Sequence, residues 1–549
     1  MTATLERRRD SPRSRRTSSD VDAAALAAER ERLLGPPLTT TARERLAGWL
    51  WALAVTALAG VLRFWHLGTP HQLVFDETYY VRNAWTMLAT GIEMRWPEGT
   101  DVDFAAGNVD VYTAQGDYVV HPPVGKWMIA LGEHLFGVQS AFGWRFSAAL
   151  VGTLSVLLVA RIGRRLLGST LLGTTAGLLL AVDGLHLVMS RTGILDIFLG
   201  FWVLVAFGLL LIDRDSSRAR LAAALARSRA GSRGGAGRLG GGGPLGVRLW
   251  WRPWRFAAAV ALGLAYGVKW SGLYPMAVFL LMSVLWDVSA RRRAGLAQWW
   301  SGLWRDGVPA ALVALPTVVV VYTASWVGWF ASSAGHLRNW AAENPDEGVQ
   351  WLPPALRSLW KYHQDMWGFH TGLDSPHAYE SSPWAWMVQG RPTSFYYQGQ
   401  AQGLEGCGAD SCTEAITSLG NPVVWWAGCV ALLVLLFCWA LRRDWRAGAL
   451  LAGVAAGWLP WFTVGDRTIF QFYAVVFAPF VVLGLAYCCG LLLGPRAGAS
   501  RGRRAGGAAA GGGLVVLALV AASYFWPVWT AQLITYDAWR ARMWFASWI

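Results

Sequence analysis

The chain has 549 residues, of which 54% are hydrophobic, 13% aromatic and only 15% charged, with 35 Trp. That balance excludes an ordinary soluble domain and fits a protein whose surface meets lipid, because indoles gather at the bilayer interface. The formal charge of +14 does not point to nucleic acid, since the basic residues are nearly all Arg and fall in short clusters between apolar runs.

Residues 1–46 are polar and Arg-rich with no core-forming pattern, and they read as a disordered cytoplasmic tail. No cleavage site follows an early apolar stretch, so the first apolar run is expected to stay as an anchor. Scanned with a window of about 19 residues, the chain shows eleven candidate spans: 47–65, 141–160, 169–187, 193–212, 254–270, 271–287, 308–329, 422–441, 447–465, 469–493 and 512–529. Each approaches the roughly 20 residues a helix needs to cross the hydrocarbon. The predicted fold class is an all-α integral membrane protein with its working part in 47–529 and a C-terminal tail at 530–549.

Orientation follows from the basic residues. Segments 161–168, 213–255, 287–306, 442–446 and 494–506 hold 24 Arg against five acidic residues, which places them in the cytoplasm. Loops 66–140 and 330–421 each carry nine acidic residues, against three and four basic ones, and are expected outside with the C-terminus. Within the cytoplasmic segment 213–253, "SRAGSRGGAGRLGGGGPLG" at 228–246 reads as a flexible linker. Four of the six Cys lie in apolar runs; Cys407 and Cys412 lie in a polar segment and could pair if that segment is outside.

The chemistry-bearing residues gather on the outer side. "QLVFDETYYVRN", residues 72–83, sets Asp76 and Glu77 just beyond the first span. The same loop returns with "HPPVGKWMIALGEHLFG", 121–137, whose prolines suit a helix start and which holds His121 and Lys126. Arg145 follows at the outer end of the second span. Arg191 and Asp196 share the turn between spans three and four, Lys269 the turn between five and six, and Arg467 the turn between nine and ten. A single cation of this kind is most often an interface anchor. Four together read as an anion site, with a lipid phosphate as the natural ligand.

These blocks resemble the protein O-mannosyltransferases, polyprenyl-phosphate-sugar glycosyltransferases of the GT-C fold. "FDETYY" is similar to that family's external Asp-Glu motif, "HPPVGKW" to its His-Pro-Pro segment, and "GWRFSAALVGTL", "SRTGILDIFL" and "GVKWSGLY" to the blocks that follow. The resemblance implies mannose transfer, with inversion, from polyprenyl phosphate mannose to Ser or Thr hydroxyls of polypeptides on the outer face of the plasma membrane. It also implies the translocation machinery as a further partner and no nucleic acid. Asp76 is then expected as general base, Glu77 as its support or as an orienting group for the acceptor, and Tyr79 and Asp196 as further site candidates. Arg145, Lys269, His121, Lys126, Arg191 and Arg467 are expected around the donor phosphate. Loop 330–421 is too short for the β-trefoil insertion of eukaryotic members, so the chain resembles the bacterial form; "FQFYAVVFAPF" at 470–480 lacks their histidines.

The nine His show no paired-ligand spacing, so no metal is assigned; a loosely held divalent ion at Asp76 or Glu77 stays open. No phosphate-binding Gly-rich loop is present, so a nucleotide donor is not expected. Two other readings stand beside this one: a GT-C enzyme with a different lipid-linked sugar or acceptor, and a secondary transporter. The transporter reading is the weaker, because the polar residues crowd one side and no internal repeat is visible.

Overall fold

The computed structural model describes residues 18–35, 41–118, 120–233, 249, 252–404, 406–465, 467–495 and 498–549. Most of the expected linker, 234–246, lies outside these residues, as do 1–17 of the N-terminal tail. Among the described residues fifteen helices are longer than ten residues: α1 (Ser18–Leu34), α2 (Ala42–Phe64), α3 (Glu77–Thr90), α4 (Val124–Phe136), α5 (Ala141–Leu167), α6 (Thr170–Ala181), α7 (Asp196–Arg233), α8 (Pro253–Val268), α9 (Leu273–Arg293), α10 (Gly307–Ser325), α11 (Pro354–Gly372), α12 (Pro422–Ala440), α13 (Trp445–Trp458), α14 (Ala478–Leu493) and α15 (Arg501–Trp529).

Each of the eleven expected apolar runs carries one of these helices. By length and composition, seven helical stretches among the described residues are fit to cross a membrane: Ala42–Phe64, Ala141–Leu167, Asp196–Ser228, Trp270–Arg293, Trp299–Ser325, Pro422–Ala440 and Arg501–Trp529. The other four runs contain α6, α8, α13 and α14, of 12, 16, 14 and 16 residues. At about 1.5 Å per residue each falls short of a hydrocarbon core of about 30 Å. The sequence merges them with neighbouring apolar turns. Span 469–493, for instance, is helical only from Ala478, with Pro in the first turn of α14; the stretch before it is a buried 3₁₀ segment, Gln471–Val476.

The chain divides into two compact units. The smaller comprises 1–39, 211–253 and 283–311. Here the expectation of a disordered tail is corrected for residues 18–34, which form α1, because its Ala, Leu, Glu and Arg are strong helix formers. Leu33 packs with Leu221, Ala222, Ala290 and Ala294, and Arg218 donates to the Leu33 carbonyl at 2.8 Å. For the same reason residues 213–233, read as linker, continue α7. Arg252 bridges Asp213 and Asp287, and Arg291 pairs with Asp306 at 2.6 Å.

The larger unit, 40–210, 254–282 and 312–549, holds the expected site. Small residues set its close crossings: a Cβ on Gly132 of α4 would lie 2.4 Å from the Gly143 carbonyl oxygen of α5, and one on Gly328 would lie 1.8 Å from that of Gly91. The departure from an all-α chain is an antiparallel sheet of β1 (Ser394–Ala401), β2 (Ser411–Thr417) and β3 (Ile534–Thr535), in the order β1-β2-β3. Cys407 and Cys412 are disulfide-bonded at the foot of its hairpin. The C-terminal segment is no loose tail either. It supplies β3 and a short helix, Tyr536–Arg542, and buried Trp548 donates its indole N–H to the Gln389 carbonyl at 2.7 Å.

Candidate active site

Asp76 and Glu77 are neighbours with opposite surroundings. Glu77 is fully buried and accepts four hydrogen bonds: from Arg145 Nε at 2.8 Å and Arg145 Nη2 at 2.9 Å, from the Val74 N–H at 3.0 Å and from the Gly193 N–H at 2.7 Å. No lone pair is left for a substrate. Glu77 therefore ties the loop at 72–77 to α5 and to the turn at 193.

Asp76 begins α3 with φ −68° and ψ −3°, yet its side chain makes no capping bond and accepts no hydrogen bond among the described residues. The preceding residue fixes its direction. Phe75 has φ +50°, an uncommon value for a bulky side chain, and its ring stacks on Phe395 at 4.7 Å and meets Phe472 and Phe470 edge-on at 5.6 and 6.0 Å. Desolvation raises the Asp76 carboxyl to about 6, helped by the negative charge of Asp196 and opposed by Lys269. A half-buried carboxylate with open lone pairs and a pKa near the working pH is suited to accept a proton.

Lys269 follows the end of α8 and pairs with Asp196 at 3.0 Å, its ammonium 4.9 Å from the centre of the Tyr473 ring. Beside it opens a cavity of about 700 Å³ lined by Lys269, Arg467, His121, His370, Tyr473, Trp461, Trp270 and residues of α11. Helix α11 contributes Trp360, His363, Gln364, Trp367, His370 and Thr371, a helical stripe of threes and fours.

His121 and His370 stack with ring centres 5.1 Å apart. Burial and the nearby cations push both well below the usual histidine range, His370 to about 4. A neutral His370 accounts for its contacts: Nε2–H donates to the Val120 carbonyl at 2.8 Å, and Nδ1 accepts from Arg467 Nη2 at 3.4 Å. Arg467 also donates to the His370 carbonyl at 3.1 Å. On the other wall, the Trp270 indole donates to Tyr322 Oη at 3.0 Å, and Tyr322 donates to His363 Nε2 at 2.6 Å.

The structure thus brings Lys269, Arg467 and His121 to one cavity, with Asp196 paired to Lys269; Asp76 does not line the cavity and lies within electrostatic reach of Lys269 and Asp196. Other expected residues lie elsewhere. Arg145 is buried between Glu77 and the carbonyls of Leu67, Pro70 and Gln72, at 3.0 to 3.3 Å. Arg191 donates to the carbonyls of Leu62, Arg63, Trp65 and His66 and so closes the C-terminal end of α2, where unpaired carbonyls and the helix dipole favour a cation. Lys126 is buried against Glu93 at 2.6 Å and the His121 carbonyl at 2.8 Å, which holds His121 in place. Tyr79 is 56% exposed and does not line the cavity. Sequence reasoning missed His370, Tyr473, Trp461 and Trp270; the spacing along 360–371 was the one signal that could have found His370. Among the described residues no three His, Cys, Asp or Glu side chains stand together as a metal site requires.

Comparison with known proteins gives a consistent set of likenesses. The family described as the C-terminal four TMM region of protein-O-mannosyltransferase matches residues 355–548, and that described as dolichyl-phosphate-mannose-protein mannosyltransferase matches 120–227. The chain is 39% identical over 531 residues to the polyprenol-phosphate-mannose-protein mannosyltransferase of Mycolicibacterium smegmatis, covering 93% of this chain and 95% of the relative. It is 38% identical over 521 residues to the protein of the same name from Mycobacterium tuberculosis, covering 92% of each. Among solved structures, the S. cerevisiae protein O-mannosyltransferase Pmt1-Pmt2 complex bound to the sugar donor aligns with a TM-score of 0.66 at 14% identity, over 96% of this chain and 94% of that one. The shared architecture is the GT-C membrane fold.

Proposed function

The chain belongs to the protein O-mannosyltransferase family, and from that premise we propose that it transfers mannose from polyprenyl phosphate mannose to Ser or Thr hydroxyls of polypeptides. One observation carries the assignment of roles: an unbonded carboxylate, Asp76, stands within electrostatic reach of Lys269, which with Arg467 supplies the cations that line the cavity. The acceptor hydroxyl gives its proton to Asp76 as its oxygen attacks the anomeric carbon. The bond from that carbon to the phosphate oxygen breaks, and attack from the opposite face inverts the centre. Polyprenyl phosphate leaves as a monoester with developing negative charge, which Lys269 and Arg467 stabilise. A phosphate leaving group needs no general acid. Neutral His121 offers a hydrogen bond without competing for the proton, and His370, with both ring nitrogens engaged, holds Arg467 in place. Glu77, Arg145, Arg191 and Lys126 hold the loops that carry these groups.

The Arg-rich segments set the proposed orientation: N-terminus and basic segments in the cytoplasm, the Asp76 loop and the C-terminus outside the plasma membrane, where acceptors would emerge from the translocation machinery. A reporter active only outside the cytoplasm should work after Ile549 and fail within 234–246; the reverse result removes the orientation. The activity is tested with radiolabelled polyprenyl phosphate mannose and a Thr-containing peptide on membranes holding the protein. Label should pass to the peptide, and label that passes only to lipid or glycan would displace the protein-acceptor reading.

A further inference from the structure

The sheet beside the proposed base ends in an unpaired, uncharged strand. β1 is the outer strand in the order β1-β2-β3, and among the described residues no strand pairs with its free edge. Its sequence, SFYYQGQA, contains no charged residue and no Pro, two of the devices by which natural sheets protect a long edge, and its register shift is confined to the first residues, between Ser394 and Tyr396. Tyr397, Gln398 and Gly399 are exposed. On its other side β1 is held firmly, paired with β2 from Ser394 to Ala401 and closed by the Cys407–Cys412 bridge.

Two further observations indicate what the edge receives. The strand starts at the proposed base, since Phe395 stacks face to face on Phe75, the residue before Asp76, at 4.7 Å with the planes 7° apart. In the middle of the strand, Gly399 lacks a left-handed backbone, and a Cβ added there would meet nothing within 4 Å. Neither the fold nor the neighbouring side chains account for that glycine. Gly inside a strand weakens it and often marks the close approach of another backbone.

We propose that the acceptor polypeptide docks in extended form along the free edge of β1, adding a strand to the sheet and delivering its Ser or Thr past Phe395 and Phe75 to Asp76. This rests on the reading above that the acceptor is a polypeptide and Asp76 the base. Recognition runs through main-chain hydrogen bonds, as in other cases of strand addition. Such bonds exist in every extended segment and ask little of the acceptor's sequence, which a neutral, uncharged edge also fits.

The test uses the full-length protein in lipid nanodiscs with polyprenyl phosphate mannose. Its acceptors are an unstructured ten-residue peptide with one central Thr, the same peptide N-methylated at one backbone nitrogen at a time, and a blocked threonine too short to form a strand. Strand addition predicts that N-methylation at alternate positions raises KM about threefold to tenfold each while the positions between are silent, since only every second N–H faces the edge. Blocked threonine should be a far weaker acceptor. A flat N-methyl series, or blocked threonine served as well as the peptide, overturns the docking mode while leaving the transferase reading intact. No transfer to either acceptor removes both.

Discussion

Two pairs of cations stand beside the short turns of the larger unit, and they are the same chemistry in opposite settings. Arg145 and Arg191 are closed in by protein, one on Glu77 and three carbonyls, the other on four carbonyls at the end of α2. Lys269 and Arg467 line a cavity of about 700 Å³. A buried guanidinium with every neighbour an acceptor fixes backbone; a cation on a cavity wall keeps donors for a ligand. The carboxylates repeat the contrast one residue apart, with Glu77 fully bonded and Asp76 open. A charge in these turns declares its role through the number of its hydrogen-bond partners, not through its position in the chain.

This contrast can be broken by experiment. The largest effect is expected at Asp76. Asp76→Asn keeps the side chain's size but cannot take a proton, so turnover should fall about 100-fold to 10,000-fold, with donor binding intact and no rescue by more acceptor, because the lost interaction belongs to the transition state. Turnover within tenfold of the parent would pass the role of base to another carboxylate. The variant should also be no less stable at neutral pH. Asp76 is raised from 3.8 to about 6 in the folded protein, so the unfolded chain gives up its proton first, and the native state loses stability as pH rises through that window. Asn removes this penalty.

Arg145→Ala should act through folding. It leaves Glu77 charged and unpaired in the interior, at a cost of about 3 to 5 kcal/mol, visible as a lower melting temperature or poor yield, while protein that does fold keeps its donor affinity. Donor affinity lost at unchanged melting temperature would move Arg145 from scaffold to binding site. Arg467→Ala should show the mirror image. Donor affinity or turnover falls about tenfold to 100-fold through loss of a charged hydrogen bond, with the melting temperature near that of the parent; normal donor saturation would make Arg467 a structural residue like Arg191.

The smallest effect is a pH limb. Because the base must be ionised, kcat/KM should be level above about pH 6 and fall about tenfold per unit below it. His370, held near 4, is already neutral across that range and contributes no second limb above it. A profile flat down to pH 4.5 would show that no group like Asp76 controls the reaction.

Much of the fold could be read from the sequence, since long apolar runs and the sign of the segments between them are local properties with a one-dimensional signature. The span near 47–65 appears as α2 within a few residues because nothing tertiary competes with it. The run at 469–493 does not, because Pro479 starts a new helix and the residues before it fold into the site wall, where burial makes them as apolar as lipid-facing ones. The helix at Ser18–Leu34 and the extension of α7 went unread because their composition resembles that of a charged tail, and only packing around Leu33 shows that they are used.

The sequence by itself determined the membrane class and the motifs that set Asp76 beside Glu77 and His121 near Lys126. Only the tertiary structure decided which member of each pair is available. Glu77 meets Arg145 from 68 residues away and Gly193 from 116, and Lys126 meets Glu93 from 33, so the bonds that close one carboxylate and leave its neighbour open are long-range. No local pattern encodes them, because a side chain's freedom to act depends on which distant groups the folded chain brings to within about 3 Å of it.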